Sequence, residues 1–283
     1  MAAQSDSGAR LALVIGSGSV KCAAALGLWK VLQREGIALD MVVGCSGGSL
    51  YAAGIALGRD VEQFVENTID LWTADIMSGY ASNLRAVMSR EVRYTERSGL
   101  VDDELILQRL KRAYGDCTFA DTRTPLHLVA TDFYSGEQVV LTRGRLVDAL
   151  RASIAIPMIF PPWEVDGALL TDGAVSDPLP VDVAIKEGAH IILAMGFELP
   201  LRRRMRSFNA VQTHLNAIYM NNLLRASFSF YNAVHHAEII SLWPDFEEDI
   251  SSFDVDKIPH IIAMGEKSAE EHLPYLQRLL EAV

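Results

Sequence analysis

Eighteen consecutive residues, Met41 to Gly58, carry no charge. A run of that length admits either a membrane span or a segment enclosed on all sides by a large core. Its composition chooses between them. Gly44, Gly47, Gly48, Gly54 and Gly58 interrupt it together with Ser46 and Ser49, and no sustained Leu/Ile/Val block is present. The run therefore reads as a buried strand, a tight turn and a buried helix.

The rest of the chain supplies what such a segment needs around it. Short apolar runs at Leu11–Ile15, Met41–Gly44, Leu126–Ala130, Glu137–Leu141, Ile191–Met195 and Glu238–Leu242 predict strands. Amphipathic stretches predict helices over Ala23–Glu35, Val61–Arg112 with a break near Ser78–Ser82, Ser207–His236 and Glu266–Val283. That alternation predicts an α/β fold with a mainly parallel sheet covered by helices. Half of the 283 residues are hydrophobic and 22% are charged, so the core can be large. No repeat or Pro/Gly/Ser linker divides the chain. One domain over 10–283 is expected, preceded by a flexible segment, 1–9. The apolar stretch Leu11–Ile15 is too short for a signal-peptide core of ~7–15 residues.

Charge narrows the partners. Lys and Arg number 25 against 36 Asp and Glu, a net charge of −11, which argues against nucleic acid. It also opposes anionic bilayers unless a local basic patch intervenes. Arg202, Arg203, Arg204 and Arg206, with the helix carrying Phe228, Phe230 and Tyr231, are the candidates for peripheral membrane contact. The reading that the sequence favours for the same residues is a solvated loop leading into a core-facing helix. Cys22, Cys45 and Cys117 form no paired framework and no zinc spacing, so a reducing, cytoplasmic compartment is expected. No carboxylate loop suggests calcium, and no cofactor is called for.

Chemistry concentrates in the uncharged run. Gly44-Cys45-Ser46-Gly47-Gly48 joins the predicted strand to the predicted helix, and G-x-S-x-G in that setting is a nucleophile elbow. Glycines two before and two after Ser46 let the chain reverse without Cβ clashes. The serine then stands at a helix N-terminus, where free N–H groups favour a developing anion. Upstream, Gly16-Ser17-Gly18-Ser19-Val20-Lys21 follows the first strand. It fails as a dinucleotide fingerprint, because Lys21 stands where a glycine is needed, and as a P-loop, because Val20 precedes Lys21 and Cys22 follows it. As an oxyanion hole it fits, with N–H groups of Ser17, Gly18 and Ser19 as donors and Lys21 bracing the loop.

Ser46 needs a base. The seven histidines, His127, His190, His214, His235, His236, His260 and His272, sit in strand, helix or loop contexts without a catalytic-looking turn. Asp172, in Leu170-Thr171-Asp172-Gly173-Ala174, is the better candidate, since the following glycine permits a turn that presents the carboxylate. Desolvation would lift its affinity for protons toward the useful range. An Asp-Gly pair is also what an ordinary turn requires, as at Asp166-Gly167.

Taken together, these motifs resemble the patatin-like phospholipase family. The resemblance rests on Gly16–Cys22, Gly44–Gly48 and Asp172-Gly173-Ala174. It extends to Ala130-Thr131-Asp132 with Ser135-Gly136-Glu137, and to Arg151-Ala152-Ser153-Ile154-Ala155-Ile156-Pro157 running into Phe160-Pro161-Pro162. It implies a three-layer α/β/α fold, a Ser46–Asp172 dyad with no histidine, and hydrolysis of fatty-acyl esters of lipids. The loop departs from the family's Gly-Gly-Gly-x-Arg/Lys-Gly, having Ser17, Ser19 and Cys22 where glycines are usual. Loss of one oxyanion donor costs ~100–1,000-fold in rate. Two further readings therefore stand beside hydrolysis: a lipid-binding or regulatory protein with little catalysis, and acyl transfer to an acceptor other than water.

Overall fold

The computed structural model describes residues 8–201 and 203–282. Five strands, β1 (Leu11–Ile15), β2 (Met41–Cys45), β3 (Leu126–Asp132), β7 (Ile191–Met195) and β8 (Glu238–Leu242), run parallel in the order β3-β2-β1-β7-β8. The strands β1, β2 and β7 are buried at every position, which is why they read as unbroken apolar runs instead of alternating ones. Three further strands, β4 (Gln138–Leu141), β5 (Trp163–Val165) and β6 (Ala168–Asp172), add antiparallel pairs at the β3 end, so the sheet is mixed.

Helices cover both faces. Leu11, Leu13 and Ile15 of β1 point into a core shared with α1 (Ala24–Arg34), α2 (Gly47–Ala56), α3 (Val61–Thr68), α5 (Asp103–Tyr114), α6 (Leu146–Ser153) and α9 (Ile258–Glu281). The alternate residues, Ala12 and Val14, face α7 (Val181–Lys186) and α8 (Phe208–Val234). The three layers implied by the resemblance are present. No helix among the described residues is long and apolar enough to cross a membrane. Of the segment expected to be flexible, residues 1–7 fall outside the described residues, whereas Ala9 is buried against the core.

Two expectations need correction, and two features were not foreseen. The helical stretch after Val61 is not broken only near Ser78–Ser82: α4 (Tyr80–Met88) begins there, after Gly79 at φ 82°, and the longer non-helical stretch is 89–102. The last helix begins at Ile258, eight residues before Glu266, because Pro259 at its first turn suits an N-terminus. Two short helices, α6 and α7, were not predicted. Nor was the hairpin β5–β6, whose two-residue turn is Asp166-Gly167, both at positive φ (50° and 83°).

Candidate active site

Three pairings place the site. Val129 of β3 pairs with Cys45 of β2 and with Val140 of β4, while Ala130 pairs with Val139 of β4 and with Asp172 of β6. Since β4 occupies one edge of β3 throughout, β2 and β6 must share the other. They run toward each other along it, and their carboxyl ends, Cys45-Ser46 and Asp172-Gly173, meet.

At that meeting point Ser46 adopts φ 52°, ψ −127° between β2 and α2, a conformation that costs on the order of 1–3 kcal/mol in a non-glycine residue. Its surroundings hold it there. The Ser46 N–H donates to Ser153 Oγ (3.0 Å), and the Ser153 hydroxyl donates to the Val129 carbonyl (2.7 Å). The Ser46 carbonyl accepts from the Ser49 N–H (2.9 Å) and hydroxyl (2.5 Å). The glycines after it permit close approach. A Cβ on Gly48 would lie 2.3 Å from the Ile15 carbonyl oxygen, and one on Gly47 would lie 2.8 Å from the Ser19 nitrogen. The elbow is thereby wedged against the end of β1 and the glycine loop.

The Ser46 hydroxyl donates to Asp172 Oδ2 at 2.7 Å. Both residues are buried, at 9% and 3% exposure. Asp172 Oδ1 accepts the Ala174 N–H (2.9 Å), its own N–H donates to the Ala155 carbonyl (3.0 Å), and Thr131 donates to its carbonyl (2.9 Å). Burial pushes the Asp172 carboxyl up to about 6, against the opposing pull of the Ser46 hydroxyl and the Ala174 N–H. A carboxylate so placed is a far better base near neutrality than a solvated one. Two of the histidines are engaged away from Ser46. His190 accepts from the Arg10 N–H, and His127 faces Glu187 at 3.8 Å.

The glycine loop divides its donors. The Ser17 N–H is engaged with the Pro178 carbonyl (2.8 Å), so of the three residues expected to donate through the backbone, Ser17 has only its hydroxyl to offer. Gly18 lies under the Phe197 ring, 2.6 Å from where a Cβ would be. Ser19 takes the left-handed φ of 52° that a glycine would adopt freely, and its backbone abuts Gly47. The Cys22 thiol donates to the Gly16 carbonyl (3.3 Å). Lys21 is buried and donates from Nζ to the Glu198 carbonyl (2.6 Å). Desolvation lowers its pKa, against the pull of Cys22, Asp249 and Glu198.

Comparison with known proteins shows the family. The model of the patatin-like phospholipase family matches residues 13–185, more than half the chain and including both Ser46 and Asp172. The chain belongs to the patatin-like phospholipase family. An uncharacterized NTE family protein of Mycobacterium tuberculosis is 28% identical over 227 residues, covering 80% of this chain and 59% of that protein. The neuropathy target esterase sws of Drosophila melanogaster is 27% identical over 190 residues, 66% of this chain and 13% of that one. The patatin-like chain thus spans about three-fifths of the first relative and a small part of the second. Among solved structures, human GIVD cytosolic phospholipase A2 superposes with a TM-score of 0.51 at 11% identity, covering 97% of this chain and 59% of that one. The likeness is one of fold.

Two residues of the patatin-like site lay in a quoted motif without a role being read for them. Ser153 is the partner of the Ser46 N–H. Arg151, two residues earlier on α6, is fully buried between the Phe160 and Trp163 rings (5.1 and 5.5 Å). It bonds Asp103 through Nε and Nη2 and the Pro161 carbonyl through Nη2. It thereby clamps α6, α5 and the Phe160–Trp163 segment into one unit behind Ser153. A cleft of about 840 Å³ lined by Lys21, Phe197, Leu199, Trp243 and Phe246 lies beside the glycine loop, but neither Ser46 nor Asp172 lines it. No cluster of His, Cys, Asp or Glu suited to a metal ion occurs among the described residues.

Proposed function

We propose that this chain is a serine acyl hydrolase that cleaves fatty-acyl esters of lipids through Ser46 and Asp172. The observation that carries the reading is the 2.7 Å bond from a strained, buried serine to a carboxylate whose burial raises it to about 6. Asp172 takes the Ser46 proton as Oγ bonds to the ester carbonyl carbon. The oxyanion that forms is held by N–H groups of Gly18 and Ser19. Collapse breaks the bond to the alcohol, which leaves with the proton from Asp172, and an acyl-Ser46 ester remains. Water then gives a proton to Asp172 as it attacks that ester. When the Oγ–acyl bond breaks, the proton returns to Ser46 and the fatty acid departs.

Ser17, Ser19 and Cys22 motivated a binding-only reading. The course of the loop supports hydrolysis instead, since Ser19 takes the glycine-like conformation and Cys22 is tied to Gly16. A fluorophosphonate should add its phosphonyl mass to the wild type and not to Ser46→Ala, and a lipid panel should be turned over only by the former. Equal labelling of both would dispose of Ser46 as nucleophile. Lipid binding without turnover would restore the binding-only reading, and glycerol esters formed when glycerol is added would reveal acyl transfer.

A further inference from the structure

The helix α8 carries apolar residues on both of its sides. Its buried positions, Ala217, Asn221 and Leu224, lie on one side, where they face α7 and the Leu199 backbone. On the opposite side Phe208, Val211, Leu215 and Tyr219 follow one another at spacings of three, four and four, which aligns them on one face. All four are exposed, Phe208 by 79% and Tyr219 by 66%. Phe230 continues the face at 61% exposure, while its neighbours Phe228 and Tyr231 turn inward to Trp243 and Asp177. Across its 27 residues α8 has one arginine and no Asp, Glu or Lys. The arginine, Arg225, is paired with Glu198. A long surface helix with no acidic residue is conspicuous in a chain carrying 36 of them.

The surroundings define what this face meets. Arg203, Arg204 and Arg206, all exposed, lead directly into Phe208, and exposed Leu201 precedes them; Arg202 lies outside the described residues. The face also borders the site. Gln212, on the first half of α8, reaches the sulfur of Met158 (3.5 Å), itself exposed and three residues beyond Ala155, whose carbonyl holds the Asp172 N–H. Apolar side chains outward, arginines at one end and no carboxylate between them match a surface of anionic headgroups over acyl chains.

We propose that the outward face of α8, with Arg203, Arg204 and Arg206, docks the protein on an anionic lipid bilayer beside the Ser46 site. The proposal deepens the hydrolase reading by naming how a bilayer substrate is approached, but its test does not need turnover. In the Ser46→Ala background, the chain should float with vesicles of equimolar phosphatidylglycerol and phosphatidylcholine, and less with phosphatidylcholine alone. Leu215→Glu with Tyr219→Glu should weaken flotation by at least about tenfold. Arg203→Gln with Arg204→Gln should weaken it by about 25-fold, at about fivefold per arginine. With Ser46 restored, both doubles should cleave a soluble p-nitrophenyl ester as the wild type does, and all should melt alike. Flotation unchanged by either double would overturn the proposal. So would a wild type that ignores vesicles but runs as a dimer that the Glu variants dissociate, which assigns the face to a second copy. Flotation of a wild type that cleaves no ester would leave the docking face standing and remove the hydrolase reading.

Discussion

Asp172 and Asp177 stand five residues apart on the same turn, are each 3% exposed, and are each pushed up to about 6 by burial. Each accepts one backbone N–H two residues on, from Ala174 and Leu179 respectively, and one hydroxyl. They differ in the owner of that hydroxyl. For Asp172 it is Ser46, strained and at the carboxyl end of β2; for Asp177 it is Tyr231 of α8 (2.6 Å). A raised carboxyl is therefore not by itself a catalytic signal. What separates the pair is whether the partner can attack something.

Substitutions should pull the two apart. The largest effect belongs to Asp172→Asn, which should lower kcat for a p-nitrophenyl ester by about 10²–10⁴-fold, the range for a general base. It should also raise stability near pH 7. The Asp172 carboxyl binds protons more tightly folded than unfolded, so its contribution is present below about pH 4 and lost as pH rises through about 6. An amide avoids that loss, its oxygen still accepting the Ala174 N–H and its NH2 donating to the Ser46 hydroxyl oxygen in place of the bond Ser46 donated. Urea unfolding at pH 7 should show a gain of up to about 3 kcal/mol. A destabilised Asp172→Asn would contradict the burial argument.

Ser153→Ala comes next. Freed from its acceptor, the Ser46 N–H no longer fixes the elbow, and kcat should fall on the order of 10²-fold with KM little changed. A KM-only effect would make Ser153 a packing residue. The mirror experiment is Asp177→Ala, which leaves the Tyr231 hydroxyl and Leu179 N–H unpaired and should cost about 1–3 kcal/mol in urea unfolding at about pH 4, where the carboxyl is protonated and its charge does not oppose folding, with kcat at neutral pH within a few-fold of wild type. The smallest effect is on the pH profile. The kcat/KM should drop about tenfold per unit below pH 6 as Asp172 protonates, and Tyr231→Phe should not move that limb. A limb displaced by Tyr231→Phe would show that the two carboxyls act as one coupled pair.

The parts of the site set by backbone conformation could be read from the sequence. Ser46 was found through Gly44, Gly47 and Gly48, and the crowding around Gly47 and Gly48 shows why no Cβ is tolerated there. Asp172 was marked only by Gly173 and by the family resemblance, because an Asp-Gly turn looks the same wherever it occurs; Asp166-Gly167 turned out to be the β5–β6 hairpin turn. Ser153 was invisible because its contact with Ser46 joins residues 107 apart. The β5–β6 hairpin escaped because Trp163–Val165 is three residues long and only partly buried. For α8 the pattern predicted the helix but not its orientation, so Phe228, Phe230 and Tyr231 were grouped although only Phe230 faces outward.

The head-on meeting of β2 and β6 along one edge of β3 also bears on timing. Ser46 and Asp172 are 126 residues apart, and they come into register only when Leu126–Asp132 has paired with both strands. Contacts of that range form late, after the entropy of closing long loops has been met. A chain emerging from the ribosome exposes Ser46 long before Asp172 exists, and in that interval the serine is an ordinary, unreactive alcohol. On the hydrolase reading proposed above, the nucleophile is withheld until the sheet is complete, and ester cleavage would double as a readout of refolding across β3.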